Sequence, residues 1–300
     1  MPGALRRALA NRTTAATLAM APASTPLPTA ATPPRIGWRD RLLAAWWRRR
    51  WRGFIRLRRM LHPAGVPAPI TFATPYGSTF QLDPHSYIDA IVLREGFYES
   101  EVVEALLPEL GAGRVLWDIG ANFGLHATTL ARLSPGTVTV AFEPHPGEHA
   151  RLLQHRRWNA PRLITAPLAL SDVQALLPLQ PGPTGNPGMT AVGNFSAGTP
   201  EGALLVAAVA GDALIASGRL PSPTAVKLDV EGHEAAVLRG MARALASPAL
   251  SIVVFEDSQE PDTAPKQLLR AAGLQITLLE RREETFHPLQ NFAARRASAR

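Results

Sequence analysis

Short apolar runs recur along the chain from residue 114 onward: RVLWDI (114–119), TVTVAFE (137–143), RLITAPLAL, ALLVAAV, AVKLDV, LSIVVFE and LQITLLE. Runs of this length, bounded by turn residues, suit strands covered on both faces. The stretches between them predict helices from about 123, from about 147, and over 211–217, 233–246 and 264–272. Strands separated by helices predict a parallel, doubly wound sheet. Upstream, ITFAT and STFQL flank Pro75-Tyr76-Gly77 and predict a hairpin. SYIDAIVLREG and ESEVVEALLPEL predict two helices, the second closed by Gly111. Only residues 180–202, rich in Gly, Pro and Asn, break the alternation, and they are expected to shape a substrate pocket. No internal repeat is visible.

The beginning of the chain follows other rules. Residues 1–37 are mostly Ala, Thr and Pro and bury too little to offset the entropy of ordering, which predicts a disordered leader. Residues 38–62 place Trp46, Trp47, Trp51, Phe54 and Ile55 among nine arginines. Two readings of that segment stand side by side. One is an amphipathic helix lying on an anionic membrane surface; the other is a helix that packs its tryptophans on the domain. The expected units are therefore 1–37, 38–64 and a catalytic domain over 65–300.

Charge changes the picture once it is divided. The 300 residues carry a net charge of +7, but residues 1–60 hold 13 arginines against one acid, Asp40. The remainder has 18 basic and 23 acidic side chains, so the high overall charge is no argument for a nucleic-acid partner. There is no cysteine, which removes disulfides, thiolate metal sites and cysteine nucleophiles. No apolar run is long enough to span a bilayer. The apolar stretch after Arg6-Arg7 is short and Thr-interrupted, so an export signal is not expected. The expected location is cytoplasmic, with the 38–62 segment as a peripheral contact at the inner membrane surface.

Candidate chemistry sits at the ends of the predicted strands, where open parallel sheets bind ligands. After VLWDI comes GANFG, with Gly120 and Gly124 allowing a sharp turn and a close helix start. Asn122 and Leu125 stand where a dinucleotide fingerprint needs glycine, and no Gly-Lys-Ser/Thr follows for a P-loop. Asp118 before the turn would repel a pyrophosphate but suits a ligand bearing an ammonium and a sulfonium. Glu143, 25 residues beyond Asp118 at the next strand's end, can accept two hydrogen bonds from a ribose. Asp172, in ALSD, can take the exocyclic amine of an adenine, with Leu170 near the ring. Together these describe an adenosine-containing ligand.

DIGANFG, FEP, ALSD and KLDVEGHEAAVLRG, in this order, resemble the FkbM family of S-adenosylmethionine-dependent methyltransferases. The resemblance runs from about residue 70 to 293 and includes LDP (82–84), GFYE (96–99) and NF (291–292). It implies a Rossmann-like α/β fold with seven strands, mostly parallel, the last antiparallel. It implies S-adenosyl-L-methionine as cofactor, and O-methylation of a sugar, glycan or secondary-metabolite hydroxyl. Carried over by motif, Asp118, Gly120, Asn122 and Gly124 would line the methionine end of the cofactor. Glu143 would hold the ribose and Asp172 the adenine, while Asp229 and Glu231 would face the methyl group. Tyr98-Glu99 would close over the cofactor.

The crowded segment VKLDVEGHEAAVLR then has a chemical reading. Val237 stands where HExxH would need histidine, and no octahedral oxygen set is evident, so no metal is expected. Glu231 and Glu234 would favour the positive end of a helix. A hydroxyl acceptor must lose its proton, and Asp229, Glu231 and His233 are the candidate bases. Two other classes stay open at this stage: a nicotinamide-dependent oxidoreductase, and a non-catalytic membrane- or nucleic-acid-binding module.

Overall fold

The computed structural model describes residues 31–47, 69–180, 191–192, 203–280 and 289–297. Most of 1–37, residues 48–62 of the basic segment and nearly all of 180–202 lie outside them. The described part of the basic segment is a helix, α1 (Trp38–Trp47). It lays Leu43, Ala44 and Trp46 against the core and leaves Trp38 and Leu42 exposed. No helix among the described residues is long and apolar enough to cross a membrane.

A hairpin follows, β1 (Ile70–Ala73) and β2 (Thr79–Leu82), paired antiparallel from Ile70↔Leu82 to Ala73↔Thr79. The helices α2 (Tyr87–Glu95) and α3 (Ser100–Leu106) come next. α2 stops at Gly96, whose φ of 95° places it in the left-handed region that lets its N–H close back on the Val92 carbonyl. α3 runs into a 3-10 turn over Leu107–Glu109, so it ends before the predicted Gly111.

Then the alternation begins: β3 (Val115–Ile119), α4 (Leu125–Leu133), β4 (Val138–Phe142), α5 (Pro146–Asn159) and β5 (Ile164–Ala166). Four strands leave the main sheet: β6 (Ala169–Leu170), β7 (Ala175–Gln180), β8 (Ala191–Val192) and β9 (Leu204–Val209). The chain returns through α6 (Gly211–Ala216), β10 (Ala225–Leu228), α7 (Glu234–Arg239), α8 (Ala242–Ala246) and β11 (Ile252–Asp257). It finishes with α9 (Ala264–Ala271), β12 (Leu274–Leu278) and β13 (Gln290–Arg296).

The main sheet has seven strands in the order β12-β13-β11-β10-β3-β4-β5, and only β13 is antiparallel to its neighbours. This is the Rossmann-like methyltransferase sheet expected from the sequence. Side chains of β3 alternate between two cores: Leu116 packs toward the hairpin and α2–α4, while Val115, Trp117 and Ile119 pack toward α7–α9. Strand order reverses between β3 and β10, so a crevice is expected at their carboxyl ends.

Three local expectations are corrected. ALLVAAV is a strand, but it belongs to a separate four-stranded sheet, β6-β9-β7-β8. Leu204 and Leu205 stay exposed there while Val206 and Ala208 are buried, the signature of a one-sided strand. The seventh place in the main sheet goes to QNFAARR. Its arginines hid it, because they look incompatible with a central strand. In the fold Arg296 donates to the carbonyls of Leu245 (2.5 Å), Leu250 (3.2 Å) and Ala272 (3.1 Å), and Arg295 to that of Ala105 (3.1 Å). The guanidiniums thus satisfy carbonyls near helix ends, at Ala105, Leu245 and Ala272, and one in the turn before β11, at Leu250. Finally, the predicted helix 233–246 is split at Gly240, a position that must stay glycine because a Cβ there would stand 1.8 Å from the Ser171 carbonyl oxygen.

Candidate active site

Beyond Asp118 the chain turns through Gly120, Asn122 and Gly124 into α4. The N–H groups of Gly120 and Ala121 both donate to the Phe142 carbonyl, at 3.0 and 2.9 Å. Gly120 has φ +81°, and a Cβ on it would lie 1.7 Å from the Asp229 carbonyl oxygen. Only glycine lets the β3 and β10 turns approach so closely. Gly124 (φ +88°) is small for a different reason: a Cβ there would meet Leu152 Cδ1 of α5 at 2.4 Å. The atoms that crowd Gly124 are therefore protein.

Glu143 braces the same turn from β4. Its Oε2 accepts from the Asn122 N–H and its Oε1 from the His145 N–H, both at 2.7 Å. Asn122 itself sits at φ +52°, its side-chain Oδ1 accepting from the Phe123 N–H at 2.7 Å. Burial pushes the Glu143 carboxyl up to about 7, against the pull of these two N–H groups. Each oxygen keeps a second lone pair with which to accept a ligand hydroxyl.

The charges cluster where β3 meets β10. Asp118 pairs in register with Lys227 and is 1% exposed. Neither of its oxygens has a hydrogen-bond partner among the described residues, and Lys227 Nζ stands 3.6 Å from Oδ1. Lys227 also donates to Asp229 Oδ2 at 3.1 Å and lies 3.5 Å from the Gly120 carbonyl oxygen. Asp229, Asp118 and Glu99 hold its ammonium well above the usual lysine range in spite of burial. For Asp118 burial pushes the carboxyl up and Lys227 opposes it.

The next turn, Val230–Glu234, closes on itself. Glu234 Oε1 accepts from the N–H groups of Val230 and Gly232, at 3.1 and 3.2 Å. That holds Glu231 at φ +53°, half-buried beside like charges. Burial first, then Asp229, Glu234 and Glu99, raise its carboxyl to about 8. A cleft opens between these turns, lined by Tyr98, Gly120, Asn122, His126, Lys227 and Asp229 among others. It lies at the crevice that the strand order predicts.

Comparison with known proteins decides what kind of enzyme carries this cleft. The sequence profile of the methyltransferase FkbM domain matches residues 118–272, from Asp118 through α9. The chain belongs to the FkbM methyltransferase family. It is 35% identical, over 62% of its own length and 74% of the other protein's, to the hexuronic acid methyltransferase AglP of Haloferax volcanii. Among solved structures it is similar to precorrin-6y C5,15-methyltransferase from Geobacter metallireducens, at 17% identity and TM-score 0.40, over 66% of this chain and 87% of that one. A precorrin 8w decarboxylase from Methanobacterium thermoautotrophicum aligns at 13% identity and TM-score 0.42, over 73% of this chain and 97% of that one. At such scores these two add nothing to the strand order, which defines the fold by itself. Family membership removes the oxidoreductase and the inert-module readings.

In this FkbM methyltransferase the predicted residues fall into two groups. Asp118, Gly120, Asn122, Gly124, Glu143, Asp229 and Glu231 gather at the ends of β3, β4 and β10. Asp172 and His233 belong to a neighbouring group at the end of β6 and the start of α7. Asp172 accepts from Arg239 Nε at 2.7 Å, which holds its carboxyl below the usual range. His233 Nε2 is 3.0 Å from Ser171 Oγ, and burial lowers its imidazole, which keeps it neutral at physiological pH. No group of three or more His, Cys, Asp or Glu among the described residues is arranged to hold a metal.

Sequence reasoning passed over Lys227 and His126. A lone charge inside an otherwise apolar run, AVKL, was the available signal for Lys227, because a lysine is rarely buried without partners. His126 gave none: burial drives its imidazole down to about 3, and its Nε2 sits 3.3 Å from the Glu99 carbonyl oxygen.

Proposed function

We propose that the protein transfers the methyl group of S-adenosyl-L-methionine to a hydroxyl of a sugar or glycan. The observation that carries the donor half is a pair of carboxylates at the switch point, Asp229 lining the cleft and Asp118 buried beside Lys227, which is the one ammonium they share. Two carboxylates set against one ammonium in that place fit a sulfonium compound and repel a nucleotide phosphate. Asp118 and Asp229 would face its charged end, Asn122 the turn side and Glu143 the ribose, with Asp172 at the adenine. Bound there, the cofactor supplies an electrophilic methyl group.

The chain's own task is alignment and proton removal. Methyl transfer is an in-line displacement, so holding the acceptor oxygen on the line of the breaking bond supplies much of the rate. Asp229, Glu231 and His233 are the groups offered for the acceptor proton, and a positioned base contributes about a hundred- to ten-thousand-fold. Glu231 is the best matched, since its proton leaves near pH 8. The sugar acceptor is inferred from the relative that modifies a hexuronic acid. The catalytic unit is placed at 65–300.

Calorimetry with S-adenosylmethionine, followed by methyl transfer to uronic-acid-containing and neutral oligosaccharides, tests the proposal. Binding that weakens in Glu143→Ala, with product formed on a sugar hydroxyl, is the expected result. No binding by the folded chain would overturn it.

A further inference from the structure

Helix α1 takes no part in the chemistry proposed above, and its two sides differ. Leu43, Ala44 and Trp46 pack against the core that the hairpin and α2 share. On the other side Trp38 is 77% exposed and Leu42 is 62% exposed. They stand four positions apart, and Ala45, three positions further on, is exposed as well, so the three form one stripe along the helix. Arg39 and Arg41 are exposed on the two flanks of that stripe, and Arg35 is exposed just before the helix begins. Asp40, half-buried, is the only acid in the first 60 residues.

We propose that the outward face of α1 docks on an anionic lipid bilayer, with Trp38 and Leu42 entering the headgroup boundary and Arg35, Arg39 and Arg41 meeting lipid phosphates. The packed face and the lipid face are then opposite sides of one helix, so the two sequence readings of this segment hold together. Charge complementarity carries the choice of partner. Residues 1–60 hold 13 arginines against one acid, whereas the remainder holds 18 basic and 23 acidic side chains. An anionic surface attracts the α1 end and repels the rest, which gives the docked molecule one orientation. Leu42 separates a bilayer from a nucleic acid. A nucleic acid can pair with the arginines and stack a base on Trp38, but it has no place for an aliphatic side chain. The boundary between headgroups and acyl chains takes both the indole and the leucine. The attachment is reversible, because a single short stripe is buried and no helix among the described residues is long and apolar enough to cross a membrane. None of these side chains lines the cleft, so docking is independent of the donor reading.

Flotation of the full-length protein with lipid vesicles tests this. The protein should rise with vesicles of phosphatidylcholine that contain about one-third phosphatidylglycerol, and stay behind with phosphatidylcholine alone. Raising the salt from about 0.1 M to about 0.5 M should release most of it. Trp38→Ser combined with Leu42→Ser should weaken vesicle binding about tenfold or more, and Arg41→Glu about fivefold or more. Because these side chains face outward, the melting temperature should not fall in either variant. A folded double variant that binds as the wild type does would place the contact in the arginine run after α1 and overturn the proposal. Equal binding to both kinds of vesicle, or to neither, also overturns it, as does tighter binding of double-stranded RNA than of the anionic vesicles. Should the double variant fail to fold by circular dichroism, Arg41→Glu decides by the same measurement, and wild-type binding by that variant overturns the proposal.

Discussion

Two adjacent strands, β3 and β10, end in turns that look alike in sequence, DIGANFG and DVEGHE, but are held in opposite ways. The first is fixed by its neighbours: Phe142 takes two of its N–H groups, Glu143 a third, and Leu152 fills the space at Gly124. The second is fixed by itself, through Glu234 reaching back to Val230 and Gly232. A turn clamped from outside keeps its shape when a ligand arrives, which suits recognition. A self-closed turn can leave its carboxylates half-buried and close together, which raises their proton affinity toward neutrality and suits chemistry. On the proposed function, binding and proton transfer would be divided between neighbouring strands, whose turns Lys227 bridges.

The largest effect should come from Gly120, where the two turns touch. Gly120→Ala puts a Cβ on the Asp229 carbonyl and strains a φ of +81°. Denaturant unfolding should show a loss of about 3–5 kcal/mol, with cofactor binding abolished. A variant of near wild-type stability would mean that the two turns do not depend on each other.

Next in size is Glu231→Gln, which leaves shape but removes the proposed base. The rate of methyl transfer should fall by about a hundredfold or more. In the wild type kcat should rise with pH through about 8, where Glu231 loses its proton, and that limb should vanish in the variant. A pH profile shared by both would assign the base to Asp229 or His233.

Glu143→Gln tests the clamp. One of its two N–H contacts is lost if the amide presents a single oxygen, and binding should weaken about tenfold by loss of a charged acceptor. Stability carries a sharper signature. The folded carboxyl titrates at about 7, above its ordinary value of 4.5, so the folded state binds the proton more tightly than the unfolded chain. Stability should therefore decline as pH rises from 4.5 to about 7. Urea melts of Glu143→Gln should show less of that decline than the wild type.

Much of this was legible in the sequence because strand ends and glycines leave strong local marks. DIGANFG and DVEG lie where the fold puts them, and the seven-stranded sheet was expected. What escaped depended on partners distant along the chain. QNFAARR reads as a strand only when Leu245, Leu250 and Ala272 offer carbonyls to Arg296. The need for glycine at 240 comes from Ser171, whose carbonyl oxygen approaches it from far along the chain. Lys227 looked like an ordinary charge until Asp118, more than a hundred residues earlier, appeared beside it. Patterns of period report which face is buried, and contacts across the sheet must come from the fold.

The smallest predicted effect concerns Asp172, and it separates a ligand contact from an ornament of the surface. Its ion pair with Arg239 is exposed on both sides, so Asp172→Asn or Arg239→Ala should change stability by about 0.5 kcal/mol or less. Binding should respond differently. If Asp172 takes the adenine amine, Asp172→Asn weakens the cofactor a few-fold, roughly one hydrogen bond's worth, while Arg239→Ala leaves more of the carboxylate free for the ligand and weakens it less. Equal effects of both variants would instead mean that the ion pair matters to binding only as a unit. No effect from either would confine recognition to the clamped turn, leaving Asp172 and Arg239 as a surface pair at the edge of the accessory sheet.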